Sequence, residues 1–312
     1  MIEIFQMALA SAKSIIDKRW SSKTPALQVS MQYATAVLDD EVYVFGGRVG
    51  ISLTARSPAY KYRQGVVTPL AALPAALAAA CATAVGRKIY IFGGCYALSS
   101  GYENKKVYVY DIDTNTYTTE TDMPVACVVG SCVTIGTDVY VYGGMNSQNE
   151  GSFPKLFYKY DTVTKTWTSL TYHDGPALYS TSCVAFNGKL VAFGGEYNTA
   201  TGNDVTVRVY DPASDTWSKL IPAGTKPGPR GAGVMVKYDD KRFVVIGGRV
   251  GSGSVCTTEV WVFDMEAVQW TLLSPMALPL AFHGGGLIEN DNIVVFDGYV
   301  GSGIANVTYV MA

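Results

Sequence analysis

Apolar residues in this chain gather into short runs rather than helical stripes, and six of the runs end alike. They are Val42-Tyr-Val-Phe-Gly-Gly47, Ile89-Tyr-Ile-Phe-Gly-Gly94, Val139-Tyr-Val-Tyr-Gly-Gly144, Leu190-Val-Ala-Phe-Gly-Gly195, Phe243-Val-Val-Ile-Gly-Gly248 and Ile293-Val-Val-Phe-Asp-Gly298. Each is β-branched or aromatic and too short for a helix, which predicts a buried strand. The glycines permit positive φ and a sharp exit where a side chain would clash. Successive closing glycines are 47, 50, 51, 53 and 50 residues apart. A fixed period of this length marks one supersecondary unit repeated along the chain.

A second pattern recurs out of phase with the first. It reads Tyr110-Asp111 with Tyr117, Tyr160-Asp161 with Trp167, Tyr210-Asp211 with Trp217, and Phe263-Asp264 with Trp270. An Asp at a strand end accepts backbone N–H bonds and starts a turn. The aromatic beyond it packs the returning strand against its neighbours. At the N-terminus Ile2, Phe5, Leu9, Ala12 and Ile16 recur at helical spacing, which predicts a short amphipathic helix over roughly residues 2–13, docked on its own domain or on a partner.

Gly-Gly after an apolar strand, then Tyr-Asp, then Trp, at about fifty residues, resembles the kelch family. The resemblance covers residues 20 to 312 and implies an all-β fold, a six-bladed β-propeller with one four-stranded blade per repeat. Two domains follow: an arm over 1–19 and the propeller over 20–312. Blade one departs from the pattern, since Tyr62 is followed by Arg63-Gln-Gly-Val-Val without Asp or Trp, so a shorter outer hairpin is expected. Blade six has Asp297 in place of the first Gly. Its segment Asn306–Met311 aligns with Glu259–Asp264, and the sequence stops before any Trp. Trp20 stands 26 residues before Gly46, as Tyr117 stands 26 before Gly143. An outer strand around Trp20 is therefore expected to complete blade six, removing an exposed sheet edge.

Composition narrows the function classes. The chain has 312 residues, 48% hydrophobic, which excludes disorder, and only 16% charged with 32 Gly, as suits an all-β protein. A net charge of −2 without a basic run argues against a nucleic-acid partner. No apolar stretch is long enough to span a membrane, and Glu3 and Gln6 interrupt any signal peptide. A cytoplasmic or virion-associated location is expected. The six cysteines form no CxxC pair and only two histidines exist, His173 and His283, so neither a metal nor a cofactor is expected. Most of the thiols sit in Ala/Val-rich runs and read as small core residues.

In a kelch propeller the loops after the Gly pairs, with those entering the innermost strands, make one face around the central channel. The resemblance places Arg48, Tyr96, Tyr102, Tyr179, Glu196, Tyr197, Arg230, Arg249, His283 and Tyr299 on that face. Kelch adaptors that capture acidic peptides carry arginines where this chain keeps only Arg230. Copper oxidases of this fold need more histidines. No GxSxG, HExxH or phosphate loop occurs, and the Gly-Arg-Val-Gly at 47–50 and 248–251 is a repeated turn. Tyr, Ser, Asn and Gly in these loops suit adaptable recognition. The expectation is a non-enzymatic binding or scaffold module acting on a protein partner in a larger assembly; the composition suits a virion or tail component. A BTB-like or F-box-like segment before Trp20 is not expected. The alternative is a carbohydrate-binding propeller taking a surface glycan, with or without mutarotase or epimerase activity.

Overall fold

The glycine-terminated runs form the second strand of each four-stranded antiparallel sheet, where β-branched and aromatic side chains pack on both faces. The computed structural model describes residues 15–23, 31–49, 54–97, 103–146, 154–197, 204–251, 255–288 and 291–312. Within them six four-stranded sheets stand as six blades. Blade three shows the plan, with strands Ser131–Ile135, Asp138–Tyr142, Phe157–Asp161 and Thr166–Ser169 running from axis to rim. Between blades the sheets pack face to face. Phe157 meets Tyr210 with centroids 4.6 Å apart and Trp217 at 5.2 Å, joining blades three and four.

The turn chemistry follows the sequence pattern. Asp161 Oδ1 accepts the N–H groups of Val163 and Thr164, and Asp111 and Asp264 do the same for the two residues at the matching positions. Blade one turns in two residues, Gln64 (φ 48) and Gly65 (φ 88), between strands Ala59–Arg63 and Val66–Leu70. Two successive positive φ angles match the tight hairpin turn whose twist suits paired strands.

The outer aromatic clasps the preceding blade. Trp167 Nε1 donates to Thr121 O at 3.2 Å, Trp217 Nε1 to Thr171 O at 2.8 Å, and Tyr117 OH to Ala71 O at 3.0 Å. The strand Trp20–Lys23 pairs with the last strand, Ile304–Met311, so the last blade is closed by the N-terminal strand. Trp20 Nε1 donates to Ser274 O at 3.0 Å, four residues beyond Trp270 just as Thr171 is four beyond Trp167. Blade six corrects the expected alignment by one residue. Met311 faces both Ile293 and Trp20, and so takes the place of Phe263 rather than Asp264. A bulge between Phe296 and Gly298 adds a residue to that strand.

A single 3-10 turn, Ile15–Asp17, precedes the closing strand and buries Ile15 among blade-five and blade-six residues such as Val244 and Tyr309. The amphipathic segment expected over 2–13 lies outside the described residues.

Candidate functional site

Three successive residues leading into the innermost strand build the crown in blades two to six, and the second and third of them are described in blade one as well. The first is a wedge: Leu77, Cys127, Leu178, Arg230 or Leu280. Its carbonyl accepts the N–H of the second glycine of the preceding blade, at 2.8–2.9 Å in all five cases. A Cβ on the first glycine would strike that same carbonyl, at 2.2 Å for Gly46 and 2.3 Å for Gly93. The paired glycines therefore serve blade-to-blade contact as well as the strand exit.

The second residue bridges back to the residue after the glycine pair. Met31 and Arg48, Ala78 and Cys95, Val128 and Met145, Tyr179 and Glu196, and Ala281 and Tyr299 each exchange two backbone hydrogen bonds, and Gly231 pairs with Arg249. The third residue makes a closed ring. Ala79 N–H donates to Gln32 O, Val129 to Ala79, Ser180 to Val129, Ala232 to Ser180, Phe282 to Ala232 and Gln32 to Phe282, at 2.7–2.9 Å. All six hold φ between 50 and 58, although none is glycine. For a β-branched Val129 or a Phe282 that conformation is unfavourable and persists only because the surrounding structure imposes it.

Beneath the ring, the residue next in sequence covers the first glycine of the preceding blade. Thr181 sits over Gly143 and His283 over Gly247. At the seam between blades six and one the pair becomes polar: Tyr33 OH donates to Asp297 Oδ2 at 2.6 Å, and Asp297 Oδ1 accepts the Val307 N–H at 3.1 Å. Asp297 is fully buried with φ 42. Its departure from glycine is thus matched by the tyrosine above it.

The expected face residues divide into three groups. Half-buried at the crown are Arg48, Tyr179, Tyr197, Arg249 and Tyr299, with Tyr96 more exposed at 39%. Glu196 is buried and takes a bidentate pair from Arg249, whose guanidinium also lies 5.2 Å over the Phe282 ring. Arg48 donates to Gln32 Oε1 at 2.7 Å, and burial lowers its pKa. Burial and the neighbouring Glu196 raise the Tyr179 phenol.

Arg230 and His283 lie below the surface. Arg230 occupies a wedge position that is otherwise Leu or Cys, and donates to Gly228 O, Gly247 O and Glu259 Oε2, the last at 2.5 Å. His283 finds no hydrogen-bond partner for either ring nitrogen, and desolvation lowers its pKa to about 3. Tyr102 lies outside the described residues.

The crown is chemically lopsided. On blades four to six its charges pair with one another. On blades one to three it carries a small apolar cluster of Ala55, Ala78, Ala79, Cys95 and Val128, with Val129 and Met145 partly open against it. Sequence reading missed this cluster, because alanines and a valine in a repeat look like filler until the ring gathers them. Below the ring runs a central channel of about 820 Å³, lined by innermost-strand residues. Among the described residues no group of three or more His, Cys, Asp or Glu could hold a metal ion, and no helix is long and apolar enough to cross a membrane.

Comparison with known proteins agrees with this architecture. The model of the KLHDC2/KLHL20/DRC7 Kelch-repeats domain matches residues 78–298. Acyl-CoA-binding domain-containing protein 4 of Arabidopsis thaliana is 26% identical over 120 residues, covering 38% of this chain and 18% of that protein. The matched segment is thus a small part of that relative.

Proposed function

The chain belongs to the kelch-repeat family of β-propellers, and from that premise we propose that it is a non-enzymatic module whose crown captures a protein partner. The observation that carries this reading is the apolar patch of blades one to three beside the exposed Tyr96, set against charges already paired within the chain. Aromatic and apolar groups at a desolvated centre supply most binding energy, whereas charges engaged elsewhere supply little. A partner segment lays an apolar side chain on Ala76, Val129 and Met145, and Tyr96 walls one side. Placement in a larger particle rests on composition alone, and no observation favours a glycan.

The test is affinity capture from the native source with wild-type protein, Tyr96→Ala and Met145→Glu, followed by titration of the captured partner at low and high salt. The expected cost for Tyr96→Ala is about 2 kcal/mol, with weak salt dependence. Equal capture by all three proteins, or affinity that falls steeply with salt, would overturn the reading.

A further inference from the structure

The innermost strands of blades two and three are tied together at two heights. Nearest the crown, Val129 N–H donates to Ala79 O at 2.8 Å. Further down, the Thr83 and Thr134 hydroxyls lie 2.9 Å apart, and Thr134 Oγ1 donates to Ala84 O at 2.8 Å. Between these ties stand Cys81, the first residue of its innermost strand, and Cys132, the second residue of the next. The next interface repeats the arrangement with a serine in the first place: Ser131 Oγ lies 3.0 Å from Cys183 Sγ and accepts the Cys183 N–H at 3.1 Å. Cys81 thus puts a second sulfur where blades three and four put a serine, Ser131 and Ser182. Cys81, Cys132 and Cys183 all line the central channel, at whose far end Asp39 and Asp40 are exposed.

We infer that Cys81 and Cys132 form a reactive dithiol in the channel wall, a site at which a small dialkyl disulfide is reduced and a Cys81–Cys132 crosslink between blades two and three takes its place. The first step falls to Cys132, which is half-buried while Cys81 is buried. Its thiolate attacks one sulfur of the reagent, forms a mixed disulfide and releases one thiolate. The Cys81 thiolate then attacks Cys132 Sγ and expels the second. The reagent leaves as two thiols carrying the two protons lost by the cysteines, and two protein thiols become one disulfide. The paired ties hold the two strands side by side on either side of the cysteines, the arrangement that S–S closure requires.

Contact with Cys132 and burial hold the Cys81 thiol well above the usual range. Burial raises Cys132, with the Cys81 contact pulling the other way. The neighbouring thiols Cys127 and Cys183 are raised by burial, Cys183 to about 12. The order of attack thus follows exposure, Cys132 being the more open of the two.

The test incubates the full folded chain with hydroxyethyl disulfide at mildly alkaline pH, quenches with acid and maps disulfides by mass spectrometry. Wild type and Cys183→Ser are expected to yield the Cys81–Cys132 crosslink. Cys81→Ser is expected to stall as the mixed disulfide on Cys132, and Cys132→Ser to lose the crosslink. Three outcomes overturn the inference: mixed disulfides on the wild type with no crosslink, a crosslink to another cysteine, or a native chain that stays unmodified while the urea-unfolded chain reacts. Wild type and Cys183→Ser decide the matter even where a Cys81 or Cys132 variant fails to fold.

Discussion

Truncating Trp20 isolates the closure of the last blade from everything else in the propeller. Its indole is half-buried, meets Tyr309 edge to face at 6.3 Å, and donates to Ser274 O at 3.0 Å. A fully buried Trp→Ala change costs about 3–5 kcal/mol, and partial exposure removes a good part of that. The indole hydrogen bond contributes about 1 kcal/mol and the aromatic pair roughly half to one more. Trp20→Ala should therefore destabilise by about 3 kcal/mol, and Trp20→Phe, which keeps a ring without the N–H, by about 1 kcal/mol. Urea unfolding followed by fluorescence gives the sum, and hydrogen exchange locates it. Amides of Thr308–Met311, the residues in register with Lys23–Trp20, should exchange roughly 100-fold faster in Trp20→Ala. Blade-three amides that exchange by local opening should be unchanged. A Trp20→Ala protein with wild-type midpoint and protected Thr308–Met311 amides would refute the closure argument.

Three further outcomes follow from buried groups. His173 is held down to about 4 by burial and by Arg208⁺, and His283 to about 3 by burial. Both are neutral when folded while the unfolded chain takes up protons near pH 6.5, so stability is full above that pH and falls as the pH drops toward 4, by roughly 3 kcal/mol for each; urea midpoints against pH should show the slope, and a His173→Gln variant with an unaltered slope would contradict it. In a double-mutant cycle, Tyr33→Phe and Asp297→Asn should couple by about 2 kcal/mol, since the hydroxyl bonds a buried carboxylate; additive losses would deny the bond. Gly93→Ala places a Cβ 2.3 Å from Cys127 O and should cost about 3 kcal/mol or more, against about 1 kcal/mol for Gly136→Ala, which has the same positive φ with nothing within 4 Å; equal melting shifts would show that conformation, not blade contact, dominates.

Sequence made the blades legible because strands in a repeat announce themselves by chemistry: β-branched runs, glycine pairs, Asp turns and outer aromatics. Trp20 could be assigned to blade six by counting alone. The crown was less legible, because its geometry is imposed between blades. Nothing in Val129 or Phe282 signals positive φ, and only the ring makes it tolerable. Arg230 reads as a surface charge until its register shows it in a leucine's position. Asp297 looked like a lost glycine, and its tyrosine partner lies far away in sequence. The one-residue shift in blade six came from a bulge that apolar patterning does not reveal.

The ring at the channel mouth has an electrostatic consequence. Its six N–H···O=C links run head to tail in one rotational sense, so their in-plane dipoles cancel around the circle. Each amide proton there is engaged by the preceding blade, and the bridging residues beside it exchange theirs in pairs. The mouth is thus unlike a helix N-terminus, where unengaged amides and an aligned dipole draw anions. What arrives at this opening meets a ring whose donors are spent and whose in-plane dipoles cancel. Selection at the axis is left to side chains, and a repeat protein can change its ligand there by substitution without disturbing the hoop that holds its blades together.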